Sequence, residues 1–236
     1  MIGELVVSLV PLALGIVMSP LAIMALVAVL VSRRARANGV AFLIGWILAI
    51  TVALAVSYLV FGTLQLHETH APAIWVSVVR LVIALVLIGS AVLVYRRGRA
   101  RIREMAAAAS VSDVVAAAPQ LPGWLRAVNE FTPARCGLLG FGIFILNPVD
   151  LSCAVLAALD VRLADDGSGW LLVVFALVGI APIAIPVLYT LVAGAKADPF
   201  LERIRTWIAG HTAVLNAALL VLIGAMQLQK ALSALV

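Results

Sequence analysis

Arg80 and Asp150 are ionisable side chains inside stretches that are otherwise apolar for the width of a membrane. Counted at 1.5 Å per helical residue, Arg80 lies about 5 Å and Asp150 about 3 Å from the centre of its stretch. A charge at that depth costs roughly 2.5–3.5 kcal/mol on insertion scales, so each residue is a functional candidate. The cheapest remedy is an opposite charge at the same depth. The counting therefore predicts that Arg80 and Asp150 pair, directly or through one water. Such a pair could open so that Arg80 receives an anionic head while Asp150 takes a proton or cation.

Asp150 follows Asn147-Pro148, and Ser19-Pro20 stands 128 residues before that pair. Each proline falls near the middle of an apolar span, where it removes one backbone donor and pushes off the carbonyl four residues earlier, at Ile16 or Phe144. Lipid cannot satisfy a freed carbonyl, so such breaks are expected inside protein or beside a watery cavity. Matching breaks in two halves of a membrane protein point to a transporter's binding site. The predicted binding set is Ser19, Pro20, Arg80, Asn147, Pro148, Asp150 and Tyr189, with Tyr58 and Thr190 as further polar groups for the same cavity.

Other chemistry is sparse. His67-Glu68-Thr69-His70 is the one cluster of metal-ligand types, but its second histidine comes one residue too early for a zinc-protease motif and it reads as a solvated loop. Cys136 and Cys153 sit on one expected helix about 25 Å apart, too far for a disulfide. Gly137, Gly140 and Gly142 follow no strand, so they read as close helix packing rather than a dinucleotide fingerprint. Gly45, Ala49, Ala53 and Ser57 form a ridge of small residues suited to the same purpose. There is no nucleophile elbow, phosphate-binding loop or CxxC motif. Neither an enzyme, a metal nor a cofactor is expected.

These residues need elements to hold them. Of 236 residues, 65% are hydrophobic and 11% charged, with a mean hydropathy of +1.20. A soluble domain of this size cannot bury that much apolar surface. Six stretches are long enough to cross a bilayer: 5–31, 40–62, 73–95, 137–159, 170–193 and 213–235. The first lacks the basic start and cleavage site of a signal peptide. The predicted fold is an all-α polytopic membrane protein with six transmembrane helices. They form two inverted three-helix repeats, 1–95 and 136–236, with helices 1 and 4 broken. Residues 96–135 form a cytoplasmic segment, in which Trp124, Leu125, Val128 and Phe131 suggest an amphipathic helix.

The net charge of +5 does not indicate nucleic acid, because 13 of the 16 basic residues lie on alternate connections, after spans one, three and five. That is the positive-inside pattern, which puts both termini outside and the basic connections in the cytoplasm.

Met18-Ser19-Pro20, the run Ser32-Arg33-Arg34-Ala35-Arg36-Ala37-Asn38-Gly39 and Phe42-Leu43-Ile44-Gly45-Trp46 together resemble the GAP family, the actinobacterial glycolipid-addressing group within the LysE transporter superfamily. Asn147-Pro148, Pro186-Val187-Leu188-Tyr189 and Trp207 agree, and Arg80 sits where members often carry an arginine. The resemblance implies six spans and a role in moving envelope glycolipids or similar amphiphiles to the surface. Family members often follow Asn-Pro with lysine and asparagine, whereas this chain has Val149 and Asp150, which replaces a cation with an anion one residue later.

The expectation is therefore an inner-membrane transporter or flippase-like exporter of a lipid or glycolipid without ATPase activity, with a membrane lipid as its partner. Envelope-lipid biosynthetic proteins and a second copy of the chain are further candidate partners. The alternatives are an exporter of a small polar solute or cation, with Asp150 as the binding anion, and an accessory subunit that docks a lipid-synthesising enzyme through 96–135. A lateral opening between spans favours lipid, a narrow closed polar cavity the small solute, and a packed centre the accessory subunit.

Overall fold

A computed structural model describes residues 2–63, 74–107, 130–164 and 166–233. They form eight α-helices: α1 (Ile2–Val17), α2 (Pro20–Leu30), α3 (Ala35–Thr63), α4 (Ile74–Ala107), α5 (Pro133–Leu146), α6 (Pro148–Leu163), α7 (Trp170–Ala193) and α8 (Asp198–Ser233). Short 3₁₀ turns at Asp166–Ser168 and Gly194–Ala197 flank α7. The described residues contain no strand. The histidine cluster at 67–70 and Trp124, Leu125 and Val128 of the expected amphipathic helix lie outside them, while Phe131, its last expected member, is a non-helical residue before α5.

Three helical stretches are long and apolar enough to cross a membrane: Ala35–Thr63, Val76–Arg96 and Trp170–Ala193. Two bent pairs qualify together, α1 with α2 at 42° and α5 with α6 at 68°, which makes up to five spans. The sixth expected span falls on α8, in which an apolar stretch, Ala217–Leu232, lies among the described residues. α4 runs unbroken to Ala107, so the polar segment that begins at Arg96 opens on a continuing helix.

Proline alone does not explain where the helices break. Pro11 lies inside α1, and Pro182 and Pro186 inside α7, without ending either helix. At the two breaks the preceding residue is a helix-capping type in an extended conformation: Ser19 at φ −65°, ψ 101° and Asn147 at φ −81°, ψ 111°. Serine and asparagine favour this position, and proline favours the first helical position after it. Val10, Ala181 and Ile185, which precede the tolerated prolines, offer no cap. Within α7, Thr190 Oγ1 donates to the Pro186 carbonyl at 2.8 Å.

The core is built around α3. Gly45 backs directly onto the Gly137 carbonyl and Gly140 onto the Phe42 carbonyl, so any side chain there would strike backbone. Gly142 faces open space. Glycines thus bring α3 and α5 into close contact, as small residues do in membrane helices. Trp46, fully buried, meets Phe144 edge to face at 5.1 Å and donates from Nε1 to the Gly179 carbonyl at 3.1 Å, tying α3 to both α5 and α7. The large apolar side chains left exposed, among them Leu48, Val52, Val82, Leu85, Val173 and Leu177, lie on the outer faces of the apolar helices. Cys136 and Cys153 are free and buried.

Candidate functional site

The two breaks meet. Ser19 Oγ donates to Asp150 Oδ2 at 2.9 Å, and Asn147 Nδ2 donates to the same oxygen at 2.7 Å. Asn147 Nδ2 also lies 3.3 Å from Ser19 Oγ. Asn147 Oδ1 accepts from the Val149 N–H at 3.1 Å, capping α6. Residues more than 120 positions apart thus form one polar centre where the half-helices of both bent spans end. Ser19 makes no cap bond to its own helix, because its hydroxyl is turned across to Asp150.

Asp150 is completely buried. Its Oδ2 takes two donors, while Oδ1 has no hydrogen-bond partner. Among the described residues no cation reaches either oxygen.

The backbone at the α5–α6 joint adds acceptors. The Asn147 N–H reaches back to the Ile143 carbonyl, and the ladder resumes with Leu151 N–H to the Asn147 carbonyl. In between, Pro148 has no N–H for the Phe144 carbonyl. The Val149 N–H is spent on Asn147 Oδ1 rather than on Ile145. These carbonyls point along the axis of α5 into the joint. The joint is not enclosed: Leu146 is 82% exposed and Pro148 is exposed, with Asn147 half-buried between them. At the other break, Met18 and Pro20 are half-buried and Ser19 is buried.

Arg80 does not join Asp150, which corrects the expected pairing. Its Nη2 lies 2.7 Å from Asp160 Oδ1, and its Nη1 donates to Gln227 Oε1 at 2.9 Å. Lys230 Nζ lies 2.7 Å from the other oxygen, Asp160 Oδ2. This cluster joins α4, α6 and α8 near the end of the bundle where α6 finishes. The hydropathy reading ended span four at Leu159 and put Asp160 in a loop, but α6 continues to Leu163 and buries Asp160. Depth counting matched the wrong aspartate because helix α6 carries two, and the lateral packing of α4 beside α8 decides between them. Gln227 and Lys230 are absent from the predicted binding set, although their spacing of three places them on one face of α8 and marks a polar patch.

The other predicted residues are spread out. Tyr189 is exposed and stacks edge to face on Phe200 at 5.1 Å, away from the joined breaks. Tyr58 accepts from Arg162 Nη1 at 3.1 Å, with the guanidinium 5.0 Å above its ring, near the end of α3. The structure therefore brings together Ser19, Pro20, Asn147, Pro148 and Asp150, and leaves Arg80 and Tyr189 elsewhere. Among the described residues no group of three or more metal-ligating side chains occurs.

At the opposite end of the bundle, Asn38 is buried and donates to Ser32 Oγ at 3.3 Å and to the Phe131 carbonyl at 3.1 Å. This pins the α2–α3 turn to the segment that enters α5. Thr132, next to Phe131, caps α5 through its bond from the Arg135 N–H.

Residues 9–233 match the family model described as Sap, sulfolipid-1-addressing protein. No curated protein and no solved structure matches the chain.

Proposed function

Because the chain belongs to the sulfolipid-1-addressing protein family, we propose that it moves an envelope lipid or glycolipid across or out of the inner membrane, as a transporter or flippase-like exporter without ATPase activity. The observation that carries this reading is the joined pair of breaks. A bundle built only to sit in a membrane or dock a partner has no use for two interrupted helices converging on a buried acid with an open oxygen. Buried polar atoms without partners are costly in apolar surroundings, so a site that keeps one is poised for a ligand.

The same reading takes α8 as the sixth span and relates the two three-helix halves by inversion, with α1–α2 the counterpart of α5–α6. It places the chain in the LysE superfamily and the arginine-rich connections on the cytoplasmic side, with both termini outside.

Lipid analysis of the cell surface against the whole cell, in a strain lacking the protein and in the same strain complemented, tests the role. The expected result is a lipid class depleted at the surface and retained inside, and restored by complementation. An unchanged surface profile would overturn the proposal. Cysteines placed at Gly167 and Arg101 test the orientation with an impermeant reagent: labelling only at Gly167 is expected, and labelling only at Arg101 reverses it.

A further inference from the structure

The end of α7 meets the start of α3. Gly39 faces Val187, and past Ala193 the chain turns at Gly194, whose φ of 56° is backbone that glycine adopts most readily. Arg36, in the first turn of α3, reaches over that turn: a side chain begun at Gly194 would come 3.4 Å from Arg36 Nη2. Lys196 follows in the same turn. Two cations from distant parts of the chain thus stand at one crevice.

Both are exposed, and among the described residues neither makes a side-chain hydrogen bond or an ion pair. The other end of the bundle differs. There Asp160 holds Arg80 and Lys230, and Tyr58 accepts from Arg162. The crevice at Gly194 therefore offers charge that the protein itself does not answer. A guanidinium grips phosphate oxygens in pairs, and an ammonium beside it serves as a point charge.

The surroundings of the two cations are apolar. Val192, four residues before Lys196, is 89% exposed. Tyr189 and Phe200 stack on one another and are both exposed. Tyr189 and Val192 belong to the apolar span Trp170–Ala193, and Lys196 comes directly after it. A cation just past such a span lies at the level of the lipid headgroups, where tyrosine is also favoured. A soluble phosphate would use the cations and leave Val192 bare. An acidic protein would have to reach down to where the span enters hydrocarbon. A phosphate head joined to an acyl chain fits both parts of the surface.

We infer that the crevice between α3 and the α7–α8 turn holds an anionic phospholipid of the adjoining leaflet. Its phosphate sits between Arg36 and Lys196, and its acyl chain lies along Val192 and Tyr189. This lipid is a resident of the rim and does not enter the polar centre around Asp150. The inference needs only the membrane setting and is independent of what the protein moves.

The full chain in phosphatidylcholine nanodiscs doped with phosphatidylglycerol gives the test, with retained lipid read by native mass spectrometry. Wild type should hold phosphatidylglycerol in preference to phosphatidylcholine. Arg36→Gln and Lys196→Gln should each lower that retention about fivefold, the scale of one basic side chain at an anionic membrane surface. Arg33→Gln with Arg34→Gln removes two exposed cations from the neighbouring turn and should change it far less. Val192→Gln keeps every charge and should also lower retention, since it takes away the apolar support for the chain. It carries the test together with the single glutamine variants if their combination does not fold.

Equal retention of the two lipids would overturn the site. So would an equal loss in the Arg33, Arg34 pair, which would reduce the effect to the general charge of this end. Retention unchanged in Val192→Gln would remove the acyl contact and with it the choice of a lipid. Displacement of phosphatidylglycerol from wild type by glycerol phosphate, or by a heptaglutamate peptide at the same concentration, would assign the cations to a soluble anion or an acidic protein instead.

Discussion

Asp150 and Asp160 lie on the same helix, ten residues apart, and both are buried, yet their surroundings are opposite in kind. Asp160 is held by two cations, Arg80 on one oxygen and Lys230 on the other, with Gln227 completing the guanidinium's contacts. Asp150 has only neutral donors, both on one oxygen, and its other oxygen is bare. A carboxylate with cations on both oxygens is finished chemistry, and it fastens three helices. A carboxylate half-satisfied at a helix joint still has something to bind. The residue that answers the cost of burial most completely is thus the structural one.

The contrast can be broken most directly at Asp160. Asp160→Ala leaves Arg80 and Lys230 facing each other around a vacancy, and removing one member of a buried ion pair costs roughly 3–5 kcal/mol. A fall of that size in unfolding free energy, measured by denaturant titration in detergent micelles, is expected. The double variant Arg80→Ala, Asp160→Ala should be no less stable than the poorer single, since the survivor's penalty disappears with its partner. Strictly additive losses would show that the two do not act as a unit.

Asp150→Ala should destabilise less, by roughly 1–3 kcal/mol, the cost of leaving the Ser19 and Asn147 donors without their shared acceptor. Surface-lipid display should suffer more than stability does. A larger stability loss at Asp150 than at Asp160 would reverse the assignment of the two acids.

Asn147→Ala removes the cap of α6 along with the bonds to Ser19 and Asp150, and should cost about 1–2 kcal/mol. Hydrogen exchange should rise at the Val149 amide, which loses its acceptor; unchanged protection there would mean the cap is idle. Ser19→Ala is the mildest change, at about 1 kcal/mol for one hydrogen bond. It sharpens the comparison by leaving Asp150 with a single donor, and a thermal scan that shows no shift would place the Ser19 bond among the dispensable contacts.

Much of this arrangement can be read from the chain. Ser19-Pro20 and Asn147-Pro148 announce breaks because each couples a capping residue to a proline, and the same rule explains why Pro11, Pro182 and Pro186 leave their helices whole. The small-residue ridge on α3 and the glycines of α5 signal a close crossing, and Gly45, Gly137 and Gly140 make it. The partner of Arg80 was not legible in the same way. Periodicity fixes how deep a residue lies and which face it occupies, but which helices stand side by side is a property of the whole bundle. Asp160 was further hidden by hydropathy, which stops counting at the first charge even where the helix continues. Residue type alone puts Tyr189 in the predicted binding set, and its ring instead packs on Phe200.

The glycine crossing has a mechanical consequence. With Gly45 seated on the Gly137 carbonyl, Gly140 on that of Phe42, and Trp46 wedged against Phe144, α5 is keyed to α3 and can hardly slide along it. α6 has no such key at its start, where Asn147-Pro148 leaves the peptide chain as its connection to α5. Any stroke of the molecule about that hinge would therefore leave α3 and α5 in place like a door frame and carry α6 together with α4 and α8, to which Asp160 ties it. Asp150 would ride on the moving leaf, and Ser19, reaching across from the other bent span, would be its latch.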